Sequence, residues 1–599
     1  MKVNIIKTNV EVDNNEDAFL IDNNVLYECH LTDTVVVPEG VTEIASTAFS
    51  SKCSITKVVL PEGLKIIRAN AFLGCAGLKE IVIPESVEVI EDQAFFGCKM
   101  LKKVHLPKNL KTLGIKAFTD SGLESVNLPE NSDLRISAYA FANTKLHQVT
   151  IPANLPLKVA MFKACKKLET VIFEGTDVKV PEMCFQFCEN LKNIDIRAIK
   201  TVGGDGFSGC KSLDFDVLPK DIRVKDGAFS GCGIKRITVE DLNSIENANE
   251  VFYECYQLTE AVIEVRGANI PQDTKEIPPA LFSRCTSLEK VLFTGMTGKI
   301  TSIDYDAFEF TALKEFEVPE NVTKIGDMAF FKATQLTEIT LPKKLRTIGR
   351  QAFSESGLKS ITLPDSVKYA EPECFRDCLR LEEATLPAKD FEVSDGMFNS
   401  CVALKKVNNT DKIVQIGKYA FYDTVDLKQI VLSSVTEIDG NAFECSGLTS
   451  VKLPKSCTTL GQDAFYKCKN LKLADLSECS IEYFAPYIFY RCGESQHMTE
   501  IILPDKIWNV DECAFVECYI KNLNIATPAS WKNIMISENA FLESNIDVLT
   551  FADNSDSHVY INESAFKDAF IGELTIPDYL YNKSKDVWDN VRSAWDDMK

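Results

Sequence analysis

A chain of 599 residues with 87 acidic against 65 basic side chains carries a net charge of −22 at pH 7, which repels phosphate backbones and excludes nucleic acid from the expected partners. Apolar residues make up 45% of it, yet none of its apolar runs approaches the roughly 18 residues that a membrane-spanning helix needs, so membrane insertion is not expected.

The opening stretch, Met1 to Asp13, has no apolar run of the length a secretory signal requires. A cytoplasmic location follows if the chain is complete as given, and a removed leader would leave a secreted or surface location open. Beyond it, phenylalanine recurs. Phe49, Phe72, Phe95, Phe118 and Phe141 stand 23 residues apart, and the series runs on to Phe566. In many copies the phrase is Ala-Phe with Cys three residues after the Phe, as in Phe72 with Cys75 and Phe465 with Cys468. A fixed period of roughly 20 to 29 residues marks a solenoid, whose units bury their apolar faces only against their neighbours. Such a core has no length at which it stops growing, so one elongated domain is expected.

Aligned on the Phe, one unit reads Leu78-Lys-Glu-Ile81-Val-Ile83-Pro84, then Val87, Ile90, Ala94-Phe95 and Cys98. The alternation puts Ile81 and Ile83 on one face of a strand and Glu80 and Val82 on the other. The proline lacks a donor and holds its predecessor extended, so it ends the strand. Every strand runs the same way through its repeat, which gives a parallel sheet, and the Phe of each coil stacks on the next as an internal spine. Thirteen of the 21 cysteines occupy the third position after a repeat Phe, where other repeats carry Ser121, Thr144, Thr311, Ala333, Ser356, Thr424, Ser544 or Ala569. The requirement is smallness with partial apolarity, met by a buried free thiol; a sporadic disulfide between adjacent coils is the alternative.

The interval from Phe252 to Phe282 grows to 30, with loop-like Val265 to Asp273 inserted, and predicts a bend or contact loop. From Phe465 the intervals widen to between 24 and 26, with irregular turns at Ala526 to Trp531 and Asp553 to Ser557. At the end, Trp588, Val591 and Trp595 lie at helical spacing among charges and predict an amphipathic closing helix.

The pattern resembles the BspA-like leucine-rich repeat family, whose unit reads approximately L-x-x-I-x-I-P-x-x-V-x-x-I-x-x-x-A-F-x-x-C. Leu78 to Cys98, Leu336 to Phe353 and Leu358 to Cys378 match it closely, and the resemblance covers about Val35 to Ile576. It implies an α/β, β-rich repeat solenoid, a leucine-rich repeat right-handed superhelix with one short parallel strand per ~23-residue repeat. The implied organisation is an N-terminal capping hairpin within 1–40 around Phe19 to Tyr27, about 23 repeats over 41–576 with a long irregular one near 253–282, and a C-terminal capping helix over 577–599. The resemblance further implies a surface adhesin, since family members in anaerobic bacteria and parasitic protists bind host matrix proteins and cells.

Nothing in the sequence assembles a catalytic site. The pairs Cys184/Cys188, Cys374/Cys378 and Cys513/Cys518 imitate zinc motifs, but a structural zinc site needs four converging ligands and no second pair supplies them. His30, His105, His147, His497 and His558 are scattered, so no Ser-His-Asp or Cys-His set is identified. Gly203-Gly204-Asp205-Gly206 sits at a turn rather than between a long strand and a helix, and is a permissive turn, not a phosphate loop. The acids lack calcium-loop spacing. No catalytic residue, cofactor or metal is therefore expected, and an enzyme is disfavoured. Glycosylation-type triplets begin at Asn321, Asn408, Asn562 and Asn582 and matter only in a eukaryotic secretory pathway.

What remains is the outward strand face, where residues vary while the buried ones do not. Its candidate protein-binding stretch is Glu315, Glu317, Glu338, Thr340, Ser360, Thr362, Glu383 and Thr385, acids mixed with a threonine column that suit a basic or hydroxyl-rich protein surface. A monomeric, non-enzymatic recognition scaffold binding protein ligands is the expected function. An intracellular interaction scaffold is the alternative, and a merely solvated sheet is the bland one.

Overall fold

Strand Glu80–Val82 shows how the sequence pattern becomes a coil. Glu80 and Val82 are exposed while Ile81 and Ile83 are 5% and 4% exposed, as period-two alternation on a half-buried sheet requires. The strand pairs in parallel with Ile55–Val59, Lys57 opposite Glu80. After Pro84 the chain turns, Val87 N–H donating to the Pro84 carbonyl at 3.1 Å, and a second strand, Val89–Ile90, pairs in parallel with Ile66–Ile67 and Thr112–Leu113. Each turn around here thus carries a second strand beyond the one that the pattern announces. Two residues are too few to display an alternation.

The computed structural model describes residues 18–131, 133–245, 247–266, 275–493, 499–504, 507–525, 534–551 and 559–587. It is a β-solenoid of about 22 turns with parallel strands and few helices. Of the described residues, those within 1–273 and 278–296 pack as one compact unit, and those within 274–277 and 297–599 as another.

A third ladder, without strands, runs along the phenylalanines. In the turn of Phe95 the amides of Gln93, Phe95 and Gly97 donate to the carbonyls of Ile115, Ala117 and Thr119 in the following turn, at 2.8, 2.8 and 2.9 Å. The amides between them, of Ala94, Phe96 and Cys98, donate within the turn to Glu91, Gln93 and Phe95. Alternate N–H groups therefore close the turn and join it to the next, which satisfies a buried backbone that no strand serves. The price in conformation is two left-handed residues per turn, two before and two after the Phe: Asn70 and Gly74, Lys116 and Asp120, Asn441 and Cys445.

The spine forms as the spacing predicts. In the first unit Phe49 stacks on Phe72 with centroids 4.6 Å apart and planes 9° apart, and the series continues ring on ring to Phe252 and Phe282 at 5.7 Å. In the second it runs from Phe308 on Phe330 to Phe541 on Phe566, 5.2 and 4.8 Å apart. Parallel rings at this separation add to what burial of each ring already contributes, about 1.5–3 kcal/mol.

At the amino-terminal end, Phe19–Asp22 pairs antiparallel with Val25–Cys29, which in turn pairs in parallel with Glu43–Ile44 of the first repeat. Around the long interval, Val265 closes strand Glu260–Val265 and is buried, rather than opening a loop, and that strand pairs residue for residue with Lys290–Gly295; of the insertion, 267–273 lies outside the described residues. So do 526–533 and 552–558. Where intervals widen, the strands lengthen, to seven residues in Tyr519–Ile525 and Asn545–Phe551. The closing segment forms helix Asp578–Lys583 with Leu580 buried; Trp588, Val591 and Trp595 lie outside the described residues.

Candidate protein-binding face

The fold first disposes of the residues that resemble chemistry. All 21 cysteines are free thiols, most of them buried. In the repeat column each Sγ points at the carbonyl of the preceding turn's Phe: Cys75 to Phe49 at 2.9 Å, Cys188 to Phe162 at 3.2 Å, Cys232 to Phe207 at 3.3 Å. The same carbonyl accepts its own turn's amide, as when Lys52 N–H donates to the Phe49 carbonyl at 3.1 Å. A thiol thus fills the second lone pair of a buried oxygen. Thr144, Thr311 and Thr424 instead donate to the Phe of their own turn, at 2.9, 2.8 and 2.8 Å, whereas Ser544 donates, as the thiols do, to the preceding turn's Phe515. Most members of the column pair a small volume with a donor; Ala333 and Ala569 are bare fillers, and the buried Ser121 hydroxyl has no partner among the described residues. Burial pushes individual thiols of the column up, Cys165 to about 11 and Cys75 and Cys518 to about 12, which keeps these three in the protonated form.

A thiol reagent added to the native protein is therefore expected to modify exposed Cys53 first and half-buried Cys445 more slowly. The rest should titrate only after denaturation, and without reductant. A majority of silent cysteines in the denatured chain would show disulfides instead.

Among the described residues no group of three or more His, Cys, Asp or Glu could hold a metal ion. His105 Nε2 lies 3.2 Å from Glu85 and His30 Nε2 lies 3.9 Å from Glu28, both exposed. His147 is exposed one residue ahead of strand Gln148–Ile151; His497 and His558 lie outside the described residues. At Gly203 an added Cβ would stand 2.6 Å from the Glu182 amide nitrogen and at Gly206 2.5 Å from Val202 Cγ1. These glycines are required by close packing of turns. Among the described residues no helix is long and apolar enough to cross a membrane.

The strand face holds the eight candidate residues on four consecutive turns, in two hydrogen-bonded ladders. In the first, Glu315–Glu317 pairs with Glu338–Thr340, so that Glu315 faces Glu338 and Glu317 faces Thr340, all four exposed around inward Phe316. In the second, Ser360–Thr362 pairs with Glu383–Thr385, and that with Lys406–Asn408. Ser360 and Thr362 are exposed. Glu383 and Thr385 are half-buried and already engaged: Asn408 Nδ2 donates to both, at 2.7 and 2.9 Å, and Lys406 Nζ lies 3.0 Å from Glu383. The Asn408 hydrogen bond and then Lys406 draw the Glu383 carboxyl below its usual range. Elsewhere on this face acids find a lysine across the ladder, as Glu80 finds Lys57 at 2.8 Å and Asp475 finds Lys452 at 3.5 Å. Glu315, Glu317 and Glu338 have no such partner among the described residues, and two of them oppose each other, an arrangement that costs rather than stabilises.

Comparison with known proteins gives the fold a family. A family model described as a BspA type leucine rich repeat region (6 copies) matches residues 20–134, 134–259, 226–322, 252–382, 301–410, 370–496 and 493–593. No curated protein matches. Among solved structures, a leucine-rich repeat protein from Bacteroides ovatus is 20% identical, covering 82% of this chain and 100% of its own, with a TM-score of 0.26. A leucine rich cell surface protein from Faecalibacterium prausnitzii is 19% identical over 63% of this chain and 78% of its own, TM-score 0.27. A leucine-rich repeat protein from Eubacterium ventriosum is 18% identical over 72% of this chain and 92% of its own, TM-score 0.25.

Proposed function

Because the chain belongs to the BspA type leucine-rich repeat family, a scaffold family, we propose that it is a non-enzymatic recognition protein. It binds a protein partner through the exposed strand face, centred on Glu315, Glu317, Glu338 and Thr340, with Ser360 and Thr362 beside them. The observation that carries this reading is the pair of opposed, unpartnered acids, whose mutual repulsion a basic partner surface would relieve. Glu383 and Thr385 form the rim of the patch, since their polar atoms are spent on Asn408 and Lys406. The hairpin within 1–40 and the helix within 577–599 are proposed to close the ends of the repeat array over 41–576, and the protein to act as a monomer.

Two settings are open to such a scaffold. Cell-surface adhesion follows from the family resemblance. Interaction inside the cell is favoured by the free thiols, because disulfides form in oxidising compartments. Reversing Glu315, Glu317 and Glu338 together to lysine is expected to abolish capture of the natural partner while leaving the unfolding midpoint within about 2 °C of the parent, since exposed charges change stability little. Undiminished capture by a folded triple variant would remove this patch from consideration, and fractionation of native cells distinguishes the two settings.

A further inference from the structure

A second surface of the second unit, on the turn side and independent of the strand face, carries its own chemistry. In four successive turns the residues two before, one after and two after the Phe all reach the surface. They read Tyr419, Tyr422 and Asp423; Asn441, Glu444 and Cys445; Asp463, Tyr466 and Lys467; Tyr487, Tyr490 and Arg491. The turn of Phe443 is therefore a gap between turns that carry tyrosines.

On one side of the gap Tyr466 stacks on Tyr490 at 4.8 Å and 8°, and Tyr487 meets Tyr490 edge-on at 5.9 Å. On the other, Tyr419 and Tyr422 form a second edge-on pair at 5.9 Å. A cavity of about 440 Å³ opens among Asn441, Glu444, Asp463, Tyr466, Tyr487 and Tyr490, within the range of about 300–1,000 Å³ that small-molecule sites occupy.

Its charge is unbalanced. Asn441 Nδ2 donates to Glu444 Oε2 at 2.8 Å, but neither Glu444 nor Asp463 forms an ion pair among the described residues. Arg491 is spent on Glu517, 2.8 Å away, while its guanidinium lies over Tyr490. The cleft's own cation, Lys467, sits with Nζ 4.8 Å from the centroid of Tyr466, within the range of a cation–π contact. Two carboxylates face one such group. Burial pushes both carboxyls above their usual range, outweighing the Asn441 hydrogen bond and the Lys467 charge at Glu444 and the Gln462 and Asn441 hydrogen bonds at Asp463.

We propose that this cleft binds an organic cation of the alkylammonium class, its head group held against the tyrosine rings and neutralised by Glu444 and Asp463. A methylated ammonium suits it best, because it is weakly hydrated and gives up little on entering a half-buried aromatic site. The carboxylates supply the charge selectivity that the rings alone lack.

Titration of the full chain with tetramethylammonium chloride, followed by calorimetry against sodium chloride at equal ionic strength, is expected to show one saturable site with a dissociation constant on the order of 1 mM. Glu444→Gln and Asp463→Asn, nearly isosteric and checked for an unchanged melting curve, should each weaken it about tenfold. Tyr466→Leu should weaken it comparably. Glucose, a neutral guest for the same aromatic wall, should give no saturable signal. Tetramethylammonium binding that survives both acid substitutions, glucose binding of equal strength, or no saturation with tetramethylammonium overturns the proposal.

Discussion

Phe95→Ala is expected to destabilise the protein by about 3–5 kcal/mol, the range measured for removing a fully buried aromatic ring. Phe95 is 0% exposed and lies between Phe72 and Phe118, with centroids 5.0 and 4.9 Å away at nearly parallel angles. Truncation would leave a cavity open to two stacked rings. Its backbone amide, bonded to the Ala117 carbonyl of the following turn at 2.8 Å, holds the two turns in register, so collapse into the space is resisted. Phe96→Ala is the control, a half-buried ring one residue on, expected to cost about 1 kcal/mol in proportion to the area that it covers. Urea unfolding of both variants separates the spine from aromatic content in general. Equal losses for the two would mean that stacking position carries no special weight.

Gly447→Ala is expected to cost about 3 kcal/mol, by collision rather than by cavity. The Gly447 amide donates to the Thr424 carbonyl at 3.0 Å, and a Cβ built there would stand 1.9 Å from the Val425 carbonyl oxygen. Backbone meets backbone, and neither can swing away as a side chain could. Gly122 and Gly357 stand at the same place, with Cβ distances of 2.2 Å to Lys99 O and Thr334 O. Gly40 separates the two costs of leaving glycine: its φ is +87°, yet a Cβ there meets nothing within 4 Å, so Gly40→Ala should lose only the conformational part, about 1–2 kcal/mol. If the Gly447 and Gly40 variants unfold at the same urea concentration, the close approach of the turns is not what fixes this residue.

The spine and the strand alternation were legible because both repeat at fixed offsets and both depend on burial, which amino-acid type reports directly. The turn ladder was hidden, since its bonds run between backbone atoms and ask nothing of side-chain polarity. It does leave one mark in the sequence. At the left-handed positions two before and two after the Phe, from Thr47 and Ser51 to Asn539 and Glu543, valine and isoleucine are missing and only Thr47 is β-branched, as the sterics of positive φ require. The donor role of the Cys column was half-visible: Ser and Thr in the same column signal a hydrogen bond, whereas their smallness alone suggests filler.

Of the binding face, exposure was legible and pairing was not. Alternation placed Glu315, Glu317 and Glu338 outward, but which residues oppose each other depends on a register set across 23 residues of intervening chain. Glu383 holds the equivalent place in the alternation, and only the fold brings Asn408 and Lys406 against it. The tyrosine cleft was less visible still. Tyr422, Tyr466 and Tyr490 are separated by two turns and then one of sequence, and only the offset from the Phe brings them into one column.

The alternating amides have a consequence for how such a chain changes over generations. Phe72 donates to Ala94 as Phe95 donates to Ala117, each at 2.8 Å, so every turn offers its successor the same groups that its predecessor offered it. A gene segment copied in phase would insert a coil whose two surfaces already fit, and a segment lost in phase would leave neighbours that fit one another. Length is then a heritable variable that selection can adjust coil by coil, while a frame of any other size would break three ladders at once.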